Sequence, residues 1–183
     1  MLILKICLTL FSLLLGVASV HAEVAEAVRS THPIVDHIRD VQQQTLDLAA
    51  AVQNFSGDTF DSFPISRAGR NLLKAIEEGT ETAKSSKKVS VTIAIKIKTA
   101  TKKLLKDIES SLAILIHAKP KLDHAGITII MVSKLKDDQE EANRFIAAIV
   151  DKLPPVGKRT GRKLGKKIAA AFEFAISVFS EEL

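Results

Sequence analysis

The sequence is poor in the residues that carry covalent and aromatic chemistry. Among its 183 residues, Cys7 is the only cysteine, and tryptophan and tyrosine are absent. One cysteine cannot form an internal disulfide or a multi-cysteine zinc site. The phenylalanines lie away from the segments rich in lysine and arginine. The aromatic side chains on which a single-strand nucleic-acid binder stacks bases are therefore missing there. We therefore expect a chain that folds by packing alone and does not bind nucleic acid.

The N-terminus predicts a secretory signal peptide. One lysine precedes an apolar run over residues 6–17, and small residues follow up to Ala22. This order predicts cleavage after Ala22, with Ala18 as the second choice. The apolar run is shorter than the roughly 20 residues that span a bilayer, so no transmembrane anchor is expected. The expected product is a single secreted domain over residues 23–183, without the lone cysteine, in the extracellular space or the cell wall.

The charge is positive and unevenly distributed. The formal net charge is +5, and eight lysines lie between Lys84 and Lys106. A solvated helix face is the simplest interpretation of such clusters, and attraction to an anionic polysaccharide or membrane is the alternative. A second basic patch comprises Lys158, Arg159, Arg162, Lys163, Lys166 and Lys167.

Hydrophobic periodicity predicts an all-α protein. Apolar residues recur every three or four positions, the spacing of one face of a helix. Helices that can bury such faces only against each other form an antiparallel bundle. The predicted helices, about five in number, cover residues 33–55, 65–83, 93–117, 121–153 and 156–179.

One segment also has the period of a β-strand. Between Val89 and Ile97, β-branched residues alternate with smaller or polar ones, as in a half-buried strand. A hairpin with the apolar run from Gly126 to Met131 is the structural alternative. From Ile93 onward, however, a helical face continues to Leu115, and the longer pattern favours a helix.

No group of residues has the spacing of a catalytic or metal site. The histidines are not three or four apart on one helix, as zinc ligands would be. The glycines at 157, 161 and 165 lack the order of a phosphate-binding loop. They are interpreted as a flexible helix start, and close approach of another helix backbone is the alternative. We expect no enzyme activity, cofactor or metal. The carboxylates are interpreted as members of polar faces without a partner for acid–base catalysis: Asp36, Asp40, Asp137, Asp138, Glu140 and Glu141.

One modification site is predicted. Asn54, Phe55 and Ser56 form an N-glycosylation sequon. It lies in a segment rich in glycine, aspartate and serine, which predicts a loop between the first two helices.

Four segments resemble one known family, the fungal hydrophobic-surface-binding protein A and antigenic cell-wall galactomannoproteins. They occur in the expected order and together extend over essentially the whole mature chain. The lysine density of this chain departs from the family pattern. The segments are Phe63-Pro-Ile65, Leu72-Leu-Lys-Ala-Ile-Glu-Glu-Gly-Thr80, Lys119-Pro-Lys-Leu-Asp-His-Ala-Gly126 and Phe145-Ile-Ala-Ala-Ile-Val-Asp-Lys-Leu-Pro154.

The resemblance implies a secreted or wall-associated helical bundle that adsorbs to hydrophobic surfaces and, in some members, holds a fatty acid between its helices. Burial of an acyl chain would be driven by removal of its apolar surface from water. The alternative is a cationic effector that binds anionic wall polysaccharide or membranes. For the implied apolar cleft we nominate Leu48, Leu72, Ile76, Ile97, Leu104, Leu112, Ile149 and Phe172.

Overall fold

The computed structural model describes residues 32–181, except for the side chain of Phe60, so the predicted signal peptide lies outside the described residues. Every regular element in this part of the chain is helical, which confirms the predicted all-α class. Besides a 3₁₀ turn at Thr59–Ser62, the elements are α1 (Pro33–Gln53), α2 (Phe63–Ser85), α3 (Val91–His117), α4 (Lys119–His124), α5 (Thr128–Lys152) and α6 (Pro155–Ser180).

The five long helices form a ring. α1 packs against α2 and α3, α2 also packs against α5, and α6 packs between α5 and α3. Each helix therefore has two main neighbours, and its apolar stripe faces the centre of the ring. The core contains buried residues from all five, such as Ile38, Ile76, Ile97, Phe145 and Phe172. This arrangement creates the space described below.

The helices alternate in direction along the chain. The connections before α3 and before α6 lie at one end of the bundle, where the Val89 amide donates to the Lys152 carbonyl oxygen at 3.0 Å. The loop after α1 and the short α4 lie at the other end, where Lys121 Nζ donates to the Phe55 carbonyl oxygen at 3.0 Å. α3 and α6 consequently run parallel to each other, although each is antiparallel to the helix before it.

The strand-like segment is helical. α3 begins at Val91, and the Ser90 hydroxyl accepts a hydrogen bond from the Ile93 amide at 3.3 Å, which caps the helix. A strand would bury its alternating β-branched residues on one face. Here Ile97 is buried, whereas Val91 and Ile95 are exposed. The longer periodicity was therefore the correct guide.

The predicted helix over residues 121–153 is wrong in one respect, because the structure divides it. Gly126 has a φ of +70°, which ends α4. The Ile127 amide donates to the Leu122 carbonyl oxygen and the Gly126 amide to that of Asp123, the pairing of a Schellman motif. α5 then starts at Thr128, and the apolar run that could have formed a hairpin belongs to its first turns.

Two of the spaced glycines allow α5 and α6 to approach closely. A Cβ on Gly161 would lie 2.8 Å from Val150 Cγ2, and one on Gly165 would lie 2.7 Å from Ile146 Cγ2. Both glycines lie inside a continuous helix that begins at Pro155. The alternative interpretation of the spacing, close approach of another helix, therefore holds at Gly161 and Gly165 in place of a flexible helix start.

Candidate lipid cavity

A small apolar cavity lies at the centre of the ring. Its volume is about 70 Å³, and all five long helices contribute to its wall. Apart from Thr45, Ser111, Lys134 and Asp138, the side chains that line it are aliphatic or aromatic. A space of this composition favours an apolar occupant over water.

Six of the eight residues nominated from the sequence line this cavity: Leu48, Leu72, Ile76, Leu104, Leu112 and Phe172. The other two, Ile97 and Ile149, lie outside it and line a second cleft between α3, α5 and α6. Their helical register was right, but they lie farther toward the end of the bundle where α3 and α6 begin. A contribution of these eight residues to ligand binding stays a prediction.

Two hydroxyl groups in the wall are directed to backbone carbonyls. Thr45 Oγ1 donates to the Val41 carbonyl oxygen of its own helix at 2.8 Å. Ser111 Oγ lies 3.4 Å from the Thr45 carbonyl oxygen and links α3 to α1. Because these hydroxyls are already engaged, they add little unsatisfied polarity to the cavity.

Asp138 departs from the apolar character of the wall. It is only 7% exposed, so its placement on a polar face was wrong. The inward series Val132, Leu135, Asp138, Ala142 and Phe145 has helical spacing, and this spacing was the signal that could have located it. α5 thus carries a carboxyl group into the apolar wall.

The environment of Asp138 favours its neutral form. Removal from water raises its pKa from 3.8 to about 7; the nearby Lys134 ammonium opposes the rise, and Asp137 adds to it. In the described part of the chain, no hydrogen-bond donor stabilises its carboxylate. The cavity lining contributed by α1, α2, α3 and α6 contains no ionisable side chain. Asp138 can therefore donate a hydrogen bond to an acceptor within the cavity at neutral or acidic pH.

The second cleft has a volume of about 160 Å³ and is rimmed by exposed Val91, Ile95 and Val156. Ile146 lines both this cleft and the central cavity. The Ile146 side chain is therefore part of the wall of both spaces.

The second basic patch occupies the first half of α6. Arg159, Arg162, Lys163, Lys166 and Lys167 are exposed, and Lys158 is half-buried. All five lysines between Lys84 and Lys106 that belong to α3 are exposed as well. These side chains form solvated surfaces, as the simpler interpretation of the sequence predicted, and they remain available to an anionic partner.

The predicted glycosylation site is accessible. Asn54 is exposed in the turn that follows α1, whereas the next residue, Phe55, is buried. The Ser56 hydroxyl donates to Asp61 Oδ2 at 2.6 Å. The structure therefore anchors the sequon through Phe55 and leaves the asparagine side chain in solvent.

Metal-binding clusters and membrane-spanning helices are absent from residues 32–181. No group of three or more histidine, cysteine, aspartate or glutamate residues there is arranged to hold a metal ion. None of the described helices combines the length and apolar character needed to cross a membrane.

Comparison with known sequences matches residues 31–151 to the family described as Hydrophobic surface binding protein A. The chain is 28% identical over 149 residues to Cell wall mannoprotein 1 of Aspergillus fumigatus, and the match covers 81% of this chain. It spans only 52% of that relative, or about half its length.

Two solved structures have the same architecture. AFMP4P in complex with palmitic acid superposes with a TM-score of 0.78 at 26% identity, covering 80% of this chain and 97% of that chain. The second is ligand binding domain 1 of the Penicillium marneffei MP1 protein complexed with arachidonic acids. It superposes with a TM-score of 0.78 at 18% identity, and the match covers 83% of this chain and 99% of that chain. At this lower identity, the second likeness shows the fold alone.

Proposed function

Because this chain belongs to the hydrophobic surface binding protein A family, we propose that it is a secreted, non-catalytic protein that holds a fatty acid or similar lipid in its central cavity. The observation that carries the proposal is the apolar wall to which all five long helices contribute. The palmitic acid in the related AFMP4P structure supports the choice of ligand. The relative named as a cell wall mannoprotein supports an extracellular or wall-associated location.

Ligand entry requires the ring to widen. The cavity of about 70 Å³ is several times smaller than the roughly 300 Å³ at which pockets for drug-sized ligands begin. A long acyl chain therefore has to displace side chains from the centre, and burial of its apolar surface offsets the cost, at about 25 cal/mol per Å². Met131 and the leucines of the wall have several rotamers available for this adjustment.

Asp138 provides a hydrogen-bonding group for the lipid headgroup. As a neutral carboxyl group it donates a hydrogen bond to the carboxylate or carbonyl oxygen of a ligand, while the surrounding wall contacts the chain. This contact would hold the headgroup against α5. A pocket with few, well-placed polar groups among apolar ones is typical of small-molecule sites.

The test is uptake of palmitic acid by the delipidated mature protein, followed by native mass spectrometry and calorimetry. Ala142 lines the cavity, and Ala147 of the same helix is exposed. Ala142→Phe should fill the space and weaken binding at least about tenfold, as a ring-sized side chain replaces ligand contacts. Ala147→Phe is the matched control and should bind normally. A folded wild-type protein that takes up no fatty acid would refute the proposal.

A further inference from the structure

α3 and α6 together present a cationic face with apolar side chains at its two ends. On α3, residues 91, 95, 98 and 102 follow one helical stripe; on α6, residues 156, 163, 167 and 174 follow another. The two helices pack side by side and run parallel. We call this surface the α3–α6 face, and it comprises Val91, Ile95, Lys98, Lys102, Val156, Lys163, Lys167 and Phe174.

Two clefts bring residues of both stripes together. Near the start of the helices, Val91, Ile95 and Lys98 of α3 line one cleft with Val156 of α6. Farther along, Glu109, Ala113 and Ile116 of α3 line another cleft with Lys167 and Phe174 of α6. Residues of the two stripes therefore meet near both ends of the α3–α6 contact.

The apolar side chains on this face are unusually exposed. Ile95 is 60% exposed, Val156 77% and Phe174 64%. Single apolar residues on a surface need no explanation, but here they lie at the two ends of one helix pair. Such side chains are suited to insertion between lipids, because each loses its contact with water there.

The middle of the face has a strong excess of positive charge. Lys98, Lys102, Lys163 and Lys167 are all exposed, and within residues 32–181 none of them forms an ion pair. Glu109 is the one acidic residue among those that line the two clefts. The exposed lysines and the exposed apolar side chains together are complementary to a surface that is negatively charged outside and apolar beneath.

We propose that the α3–α6 face docks onto the surface of an anionic lipid bilayer, with the lysines at the headgroups and the exposed apolar side chains inserted below them. Interfacial binding of this kind combines buried apolar area with attraction to anionic headgroups. An anionic polysaccharide would use the lysines, but it would leave Ile95, Val156 and Phe174 without a role. The bilayer accounts for both features. This inference goes beyond lipid storage in the cavity and does not depend on it.

The test uses the mature protein and phosphatidylcholine vesicles with or without phosphatidylserine, and binding is measured by cosedimentation. We expect the wild type to bind the anionic vesicles and to lose most of that binding as salt rises to 1 M, where the screening length falls to about 3 Å. Changing Lys98, Lys102, Lys163 and Lys167 to glutamine should weaken partitioning by about 100-fold or more. An Ile95→Ser, Val156→Ser, Phe174→Ser variant should weaken it at least about tenfold.

A charge-matched control variant distinguishes an effect of the α3–α6 face from an effect of the net charge of the protein. Arg70, Lys74, Lys84 and Lys136 lie on α2 and α5 and are exposed. Their replacement by glutamine removes the same charge from the other side of the ring and should leave vesicle binding within about threefold of the wild type, since distant surface charges are screened. Equal losses in the control and the face variant would overturn the proposal.

Two further outcomes would also overturn it. One is an absence of binding of the wild type to anionic vesicles at low salt. The other is unimpaired binding by the serine variant together with equally strong binding of the wild type to a soluble anionic polysaccharide. Palmitic acid uptake, measured in the same variants, should stay unchanged, so failure of docking is distinguishable from failure of the cavity to hold lipid.

Discussion

Gly79 of α2 lies directly against the aromatic ring of Phe145 of α5. A Cβ on Gly79 would lie 2.9 Å from Cε2 of Phe145 and 3.0 Å from its Cζ. Phe145 is also part of the cavity wall. The absence of a side chain at one position thus fixes where a large ring sits at the centre of the bundle.

We expect Gly79→Ala to lower the free energy of unfolding by about 1–3 kcal/mol, because the added methyl group must displace a packed ring. Gly69 of the same helix has nothing within 4 Å of its Cβ position. Gly69→Ala should therefore stabilise the protein by about 0.5–1 kcal/mol through helix propensity. Urea unfolding of both variants measures the difference. Equal effects at the two positions would show that the Phe145 contact is not tight.

Asp138 should make stability depend on pH. Its pKa is about 7 in the folded protein and near the ordinary 3.8 in the unfolded chain. Between these values the folded state retains a proton that the unfolded state has lost, so the free energy of unfolding falls as pH rises from about 4 to 7. The total loss is at most about 4 kcal/mol, by 1.36 kcal/mol per pKa unit.

Asp138→Asn should remove this loss. The difference in free energy of unfolding between the variant and the wild type should therefore favour the variant more at pH 8 than at pH 4. Asp137→Asn, at the exposed neighbouring position, is the control and should retain most of the wild-type pH dependence. Thermal unfolding across this pH range measures both. An unchanged pH profile in Asp138→Asn would contradict the assignment.

The same group should affect ligand affinity. As pH rises through about 7, Asp138 ionises and its charge opposes a fatty-acid carboxylate beside it. Palmitic acid should therefore bind more weakly above pH 7, while its uncharged methyl ester should not. Asp138→Asn should remove the difference between the two ligands. Calorimetric titrations at pH 6 and pH 8 measure the affinity for each ligand. If the wild type showed the same change in affinity for the acid and for the ester, the proposed headgroup position would be contradicted.

Asn54 should carry a glycan when the chain is expressed through a eukaryotic secretory pathway. Its side chain is exposed, and its sequon is complete. Endoglycosidase treatment should lower the mass of the wild type, and Asn54→Gln should abolish that shift. Asn71→Gln is the control, since Asn71 is exposed but lies outside a sequon. A mass shift that persists in Asn54→Gln would place the glycan elsewhere.

The α5–α6 contact should tolerate a methyl group at one glycine and not at another. Gly165→Ala places a Cβ 2.7 Å from Ile146 Cγ2, whereas Gly157→Ala meets only ordinary contacts from 3.5 Å outward. We expect Gly165→Ala to cost about 1–3 kcal/mol. Gly157→Ala should be neutral or slightly stabilising. Denaturant unfolding compares them, and a neutral Gly165→Ala would mean that the helices separate easily.

Periodicity was sufficient to predict the helices because each long helix buries one continuous stripe. It placed Ile97 correctly in the core even though the alternation from Val89 to Ile97 favoured a strand locally. The break at Gly126 was missed because its apolar flanks continue the helical pattern on both sides, and only the positive φ interrupts it. Elements of this fold are thus predictable where burial alone determines them.

The site was less predictable than the helices. Leu104 and Leu112 line the central cavity, whereas Ile97 and Ile149 have the same pattern and line a different cleft. Position along the helix axis depends on how the five helices are arranged around the ring, and periodicity carries no information about that. Asp138 was misplaced because its charge suggested solvent although its spacing indicated the core.

The position of α6 in the ring affects when the protein can fold. α6 packs between α3 and α5, which precede it in the chain, and it contributes Ile168 and Phe172 to the cavity wall. Among the five long helices of the ring it is the last in chain order. Until residues 155–180 have left the ribosome, the growing chain leaves the apolar stripes of α3 and α5 uncovered on one side. Completion of the cavity therefore requires that all five long helices have been synthesised.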